Sequence, residues 1–249
     1  MRSFANKLRS MAKMLSVIIP AYNEADFIES VLQHVCNSLE KNKIDAEIIV
    51  VDDASTDKTL EKVAHFQWEH PGLELRWIAS KPNKGKGFVI REGIAAATAD
   101  YVLIQDADFE YDPGEYPLLL EPVLKGMADV VYGSRFSGGN PHRILFFWHS
   151  IGNKFLTMLS NAFTNLNLTD METGYKLFKR EIIQQIRLKE NRFGFEPEVT
   201  AKIARHPGIR IYEVGISYYG RTYAEGKKIT WTDGMRAIWC VLKYNVFSR

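Results

Sequence analysis

Cysteine is scarce in this chain. Cys36 and Cys240 are the two present in 249 residues, far apart and in no metal-like spacing. That argues against a disulfide framework and fits a reducing compartment. Cys36 falls on the apolar stripe of a helical pattern, the place of a packed core thiol. Charge of one sign is also lacking. The 32 Lys and Arg against 30 Asp and Glu leave a net charge of +2. A nucleic-acid binder carries a stronger basic bias, so no nucleic-acid partner is expected. No apolar run approaches the ~20 residues needed to cross a bilayer. The opening "MRSFANKLRSMAK" is basic but has no apolar signal core. Residues 1–13 are therefore read as a basic tail, and the protein is expected to stay in the cytoplasm. There is no internal repeat and no low-complexity linker. With 46% hydrophobic and 25% charged residues, the chain suits one large domain with an elaborated end and a real core.

What is present first is rhythm. "LSVII" (15–19), "EIIVV" (47–51), "LELRWIA" (73–79), "YVLIQD" (101–106) and "ADVVYGSR" (128–135) read as strands. Helical patterns lie between them, over residues 25–40, after the helix-start chemistry of Ser55, Thr56 and Asp57, over 85–99 and over 114–125. Strand alternating with helix predicts an α/β fold, a mostly parallel sheet flanked by helices. In such sheets ligands bind outside the carboxyl ends of the strands. Polar groups collect there: Asn23 and Glu24 after the first strand, Asp52 and Asp53 after the second, Asn83, Lys84 and Lys86 after the third, Asp106 and Asp108 after the fourth.

The spacing of Asp106 and Asp108 puts both carboxylates on one side of an extended chain. Two such carboxylates repel unless a cation sits between them. Mg²⁺ takes one or two carboxylates together with phosphate oxygens and water, and would polarise a diphosphate leaving group. An acid at Asp53 accepts hydrogen bonds from a ribose or base edge, or it caps a helix; both readings stand. "NKGKG" (83–87) offers glycines at a helix start beside Lys84 and Lys86, which favours an anion. It lacks the spacing of a Walker A loop. Two segments, 142–166 and 229–249, interleave aromatics and Leu with Arg, Lys and His. They suit a water–lipid interface, or a core-packing helix with a charged outer face.

"VIIPAYNE" (17–24), "VVDDASTDKT" (50–59), "NKGKG" (83–87), "DAD" (106–108) and "GSRF" (133–136), in this order and spacing, resemble the family-2 inverting glycosyltransferases of the GT-A fold. "DMETGYKLFKR" (170–180) and "FGFEPEV" (193–199) are similar to the branch of dolichol-phosphate mannosyltransferases and polyprenyl-phosphate glycosyltransferases. The resemblance covers residues 14–222. It implies a glycosyltransferase domain over 14–228, followed by an amphipathic segment over 229–249.

The resemblance further implies a nucleotide-sugar donor of the GDP-mannose or UDP-glucose type, lying across Pro20, Tyr22, Glu24 and Asp53 near Lys84, Lys86 and Asp106. Asp106 and Asp108 would hold Mg²⁺ or Mn²⁺, with Glu110 as a third ligand where the family often has Gln. Arg135 and Arg143 match the family's phosphate-binding arginines. Arg221, Lys227 and Lys228 fall on a loop that would close over the donor. The acceptor would be a polyprenyl phosphate, largely a dianion near neutral pH because its second pKa is near ~6, and in need of no general base. A hydroxyl acceptor would need one, and Asp170, Glu172 and Glu196 are the candidates. Attachment would be peripheral at the cytoplasmic face of a membrane or through a separate membrane subunit. A soluble glycosyltransferase with a saccharide or protein hydroxyl acceptor, and a non-catalytic sugar-nucleotide-binding protein, remain as alternatives at this point.

Overall fold

The computed structural model describes residues 13–139, 143, 147–220 and 231–247. Strand β1 is Leu15–Ala21, β2 Ala46–Asp52, β3 Leu75–Ala79, β4 Tyr101–Ile104, β5 Val130–Ser134, β6 Lys176–Lys179 and β7 Ile211–Gly215. Among the described residues they form one sheet in the order β3-β2-β1-β4-β6-β5-β7. The pairs β1–β2, β2–β3, β1–β4 and β5–β7 are parallel, and β6 runs antiparallel to both β4 and β5.

Alternation along each strand builds two cores, one per face. Val17, Ile19, Ile48 and Val50 point to one face, and Ile18, Ile49 and Val51 to the other. The first face is covered by α1 (Ile28–Lys41), α2 (Thr59–Glu69) and α4 (Tyr116–Leu124). The second is covered by α3 (Lys86–Ala96), α7 (Phe195–Ile203) and part of α8 (Trp231–Leu242). α5 (Phe147–Thr164) packs on α7 and α8, and α6 (Arg180–Ile183) is a single turn after β6. The arrangement is three-layered, with strands buried on both faces, which is why β1 and β2 read as continuous apolar runs.

A buried acid ties each side of the sheet together. Glu47 on β2 accepts from Ser16 Oγ on β1 at 2.6 Å, Thr98 Oγ1 at 2.8 Å and Arg76 Nη2 on β3 at 2.9 Å. Asp129 before β5 accepts from Lys179 Nζ on β6 at 2.6 Å and Arg210 Nη2 before β7 at 2.7 Å. The fourth strand is shorter than the sequence suggests. It ends at Ile104, so Gln105 and Asp106 already lie beyond it. The reversed strand β6 carries no apolar run of the expected kind. Its Lys176 is fully buried, with Nζ donating to the carbonyls of Met171 and Thr173 and lying 4.8 Å from the Tyr132 ring centroid. Both thiols are free, as expected. Cys240 is buried and Cys36 is packed against the first core; burial pushes the Cys36 thiol up to about 11.

Candidate active site

The carboxyl ends of β1, β2 and β4 open into a cleft of about 400 Å³. The loops after β1 and β2 are stitched together along its rim. Asn23, with φ +53°, donates its N–H to Ser55 Oγ at 2.9 Å and accepts from the Thr56 N–H at 2.8 Å. The Glu24 N–H reaches Thr59 Oγ1 at 2.9 Å. Asp53 anchors the glycine loop: its two oxygens accept the N–H groups of Lys84 and Gly85 at 2.7 and 2.6 Å, while its carbonyl accepts from Asn83 Nδ2.

Of the residues singled out from the sequence, Pro20, Tyr22, Glu24, Asp53, Lys86, Asp106, Asp108, Glu110, Arg135, Glu172 and Glu196 line this one cleft. Asp106 pairs with Lys86 Nζ at 2.7 Å. Burial works against the Lys86 charge, but Asp106, Glu196 and Asp108 together hold its pKa above the usual lysine range. Gly174 leaves room for Asp106, since a Cβ there would lie 2.7 Å from Oδ2. Asp108 is nearly buried, and its Oδ1 accepts the Glu110 N–H at 3.0 Å.

Asp106 and Asp108 present hard oxygen donors to the cleft. That set fits a divalent ion which takes its other oxygens from a diphosphate and water. Glu110 lines the same cleft as these two acids. Its Oε2 accepts from the Tyr218 hydroxyl at 2.9 Å, and no three acids, histidines or cysteines converge as a metal cluster among the described residues.

Three expectations meet a different geometry. Lys84 does not line the cleft; its Nζ lies 4.1 Å from the Phe88 ring centroid, and its part in the loop is its backbone N–H. Arg143 also stands outside the lining, with Nη1 donating to the Gly220 carbonyl at 2.9 Å and its N–H to the Tyr218 carbonyl. Asp170 is fully buried and bound by Arg135 through Nε at 2.6 Å and Nη2 at 2.7 Å, and by Asn153 Nδ2 at 3.0 Å. Burial would raise the Asp170 pKa, but these partners hold it below the usual range. A carboxylate so occupied orients Arg135 rather than taking a proton. Arg221, Lys227 and Lys228 lie outside the described residues.

Glu172 and Glu196 face each other's charge in the cleft wall. Burial, then Glu196, pushes the Glu172 carboxyl up to about 8, and its buried Oε1 has no hydrogen-bond partner among the described residues. Nearby, burial lowers Lys176 to about 8. Sequence reasoning missed Arg192, Tyr111 and Tyr218 in the lining. Arg192 immediately precedes the "FGFEPEV" stretch and carried no signal of its own. Tyr111 and Tyr218 line the cleft and also sit in the first core.

Comparison with known proteins follows this geometry. The model for "Glycosyl transferase family 2" matches residues 16–187. A dolichol-phosphate mannosyltransferase of Pyrococcus furiosus is 27% identical over 233 residues, covering 92% of this chain and 64% of that protein. The low-salt glycan biosynthesis hexosyltransferase Agl6 of Haloferax volcanii is 30% identical, over 92% of this chain and 53% of that protein. A dolichyl-phosphate beta-glucosyltransferase, ALG5A of Trichomonas vaginalis, is 30% identical over 247 residues, covering 94% of this chain and 74% of that protein. The chain thus spans between about half and three quarters of these relatives. Among solved structures, glucosyl-3-phosphoglycerate synthase from Mycobacterium tuberculosis, in complex with Mn²⁺ and uridine-diphosphate-glucose, superposes with a TM-score of 0.71 at 20% identity over 98% of this chain and 83% of that one. That likeness concerns the fold, which is the mixed, mostly parallel α/β architecture expected from the sequence.

Proposed function

The chain belongs to glycosyl transferase family 2, and on that premise we propose that it moves a hexose from a nucleotide diphosphate sugar to a polyprenyl phosphate, with inversion, at the cytoplasmic face of a membrane. The observation that carries the proposal is the charge of the cleft. Among the described residues seven acids line it, Glu24, Asp53, Asp106, Asp108, Glu110, Glu172 and Glu196, against three cations, Lys86, Arg135 and Arg192; with Glu172 protonated, six carboxylates still outnumber them. A diphosphate brought into such a cleft needs added positive charge, and Asp106 and Asp108 are the residues that would hold it as Mg²⁺ or Mn²⁺. The ion, when bound, would neutralise the charge that develops on the departing nucleoside diphosphate.

The chain's own residues supply the rest. The rim of Pro20, Tyr22, Glu24 and Asp53 would receive the nucleoside, and Arg135, held flat by Asp170, would face the phosphates. The acceptor phosphate is already anionic and needs no base, so orientation and charge neutralisation are the protein's task. The relatives' names include dolichol-phosphate and dolichyl-phosphate transferases, which supports a lipid acceptor. The helices support it as well. α5 turns Phe147, Trp148, Phe155 and Met158 outward, and α8 turns out Met235 and Trp239. No helix among the described residues is long and apolar enough to cross a membrane, so these faces would lie along its surface. The choice between a GDP-mannose and a UDP-glucose type of donor belongs to the test.

A second reading, transfer to a saccharide or protein hydroxyl, is favoured by Glu172, whose raised pKa suits a general base. The test is nucleoside-diphosphate release from a panel of sugar nucleotides with Mg²⁺ or Mn²⁺, with and without undecaprenyl phosphate in detergent. Release from one donor only when the lipid is present is the expected result. Lipid-independent transfer to a hydroxyl acceptor would replace it with the second reading, and binding without any turnover would leave a sugar-nucleotide-binding protein.

A further inference from the structure

Of the three cations in the cleft wall among the described residues, two are already matched. Lys86 lies 2.7 Å from Asp106, and Arg135 is bound by Asp170 at 2.6 Å. The third, Arg192, is exposed, and its guanidinium makes no hydrogen bond or ion pair with any described residue.

Its position is nevertheless fixed by the loop that carries it, residues 189–194. The stem of Arg192 lies on Gly85, where a Cβ would come within 2.7 Å of Arg192 Cγ and 2.5 Å of the Asn191 carbonyl oxygen. The φ of +101° at Gly85 favours glycine for a second reason. The same carbonyl accepts the Phe88 N–H at 3.1 Å. Arg91 adds two bonds, from Nη2 to Asn191 Oδ1 at 2.7 Å and from Nη1 to the Glu190 carbonyl. From below, Glu198 accepts the N–H groups of Lys189 at 2.8 Å and Glu190 at 2.6 Å.

The remaining brace comes from the C-terminal end. The nearly buried Glu190 carboxylate accepts from Arg236 Nη2 on α8 at 2.7 Å, and from Lys243 Nζ at 2.8 Å and the Tyr244 hydroxyl at 2.7 Å in the turn after it. A loop held this firmly, from both α3 and α8, delivers an uncommitted guanidinium to a cleft where carboxylates outnumber cations.

We propose that Arg192 binds a phosphate oxygen of the reactants, and that Glu190 positions it by pinning the 189–194 loop to α8. This rests on the glycosyl-transfer reading above. The guanidinium fork matches phosphate oxygens in a way an ammonium does not, and Arg192 gives up no partner among the described residues when it binds. The phosphate belongs either to the donor's diphosphate or to the acceptor.

The experiment separates these sources. UDP and GDP, each with Mn²⁺, are titrated into the wild-type protein, Arg192→Ala, Arg192→Lys and Glu190→Gln, and the KM for undecaprenyl phosphate is measured at saturating donor. Melting curves establish that each variant is folded. Arg192→Ala is expected to weaken one constant by roughly 10- to 100-fold. Loss of nucleotide affinity assigns the donor diphosphate; a raised acceptor KM assigns the acceptor phosphate. Arg192→Lys should fall between. Glu190→Gln should move the same constant in the same direction and add little in the Arg192→Ala background, because it acts through that residue. A folded Arg192→Ala with both constants unchanged overturns the proposal, and effects of the two variants that simply add overturn the positioning role. A wild-type protein that binds neither nucleotide overturns the functional reading along with it.

Discussion

Helices α1 and α5 are both amphipathic, and they face opposite ways. α1 buries Ile28, Val31, Leu32, Val35 and Leu39 against the sheet and leaves its charged residues in water. α5 buries Thr157 and Ser160 and leaves Trp148 77%, Phe147 66% and Met158 61% exposed. Its inner polar face is used: Thr157 Oγ1 accepts the Met171 N–H, Asn153 binds Asp170, and Asn161 exchanges bonds with both backbone groups of Leu168. Only Leu156 and Leu159 lean on the core. The same amphipathic signal therefore describes a helix that turns its apolar residues into the sheet and one that turns them outward. The first helps build the side of the sheet that would receive the nucleotide. The second packs on α8, which also exposes Met235 and Trp239.

The largest expected effect tests the inner half. Asp108→Ala should lower turnover by about 10³-fold or more while the protein stays folded; wild-type rates in that variant would remove the metal role. Next, one kind of substitution made on each helix probes the contrast directly. Val35→Ser should cost about 2–4 kcal/mol of stability, read by denaturant unfolding, because it opens the core and buries a hydroxyl. Phe155→Ser should stay within about 0.5 kcal/mol. Combined with Trp148→Ser and Trp239→Ser, it should reduce co-sedimentation with liposomes about 10-fold and leave nucleotide binding alone. A triple variant that sediments like the wild type would mean that the outer faces do not meet lipid.

Glu190 joins the two regions, and its pH dependence has a definite sign. Burial would raise its pKa, but Lys243, Arg236 and Tyr244 bring it from 4.5 down to about 2. Its stabilising contribution is therefore complete above the ordinary carboxylate range and lost as pH falls through about 4.5 towards 2. Glu190→Gln should be less stable by about 1–2 kcal/mol at pH 7, once solvent screening of the half-exposed Arg236 and Lys243 is allowed for, with the gap closing on acidification; a gap independent of pH would place the effect in packing. The smallest effect is expected from Arg143→Ala, which removes a bond to the Gly220 carbonyl outside the cleft and should leave nucleotide affinity within about twofold.

The parallel part of the sheet and its polar edge were legible because period and burial agree there. β1 and β2 run apolar through 17–19 and 48–51, so the acids that follow these stretches stand out. β6 was not legible. "KLFK" is four residues long with a lysine at each end, and the buried Lys176 is accommodated because the carbonyls of Met171 and Thr173 accept hydrogen bonds from its Nζ. Asp170 was legible as a carboxylate near the site but not as the partner of Arg135, since that pair spans 35 positions and is made by the fold alone. Arg192 was hidden for a related reason. What distinguishes it is that its guanidinium finds no partner among the described residues, and a sequence does not print that.

β6 has one more consequence. It meets β4 over the three pairs Tyr101↔Lys179, Val102↔Phe178 and Leu103↔Leu177, whereas β1 meets β2 over seven. That short antiparallel seam divides the sheet into two parts, β3-β2-β1-β4 and β6-β5-β7. The strands before it, β3-β2-β1-β4, carry the loops that hold Asp53, Asp106 and Asp108; Glu172 stands just ahead of β6 in the chain, and Arg192 and α8 follow it. A substitution in β6 would therefore strain this seam before it reached the seven-, five- and four-pair ladders that join β1 to β2, β2 to β3 and β1 to β4.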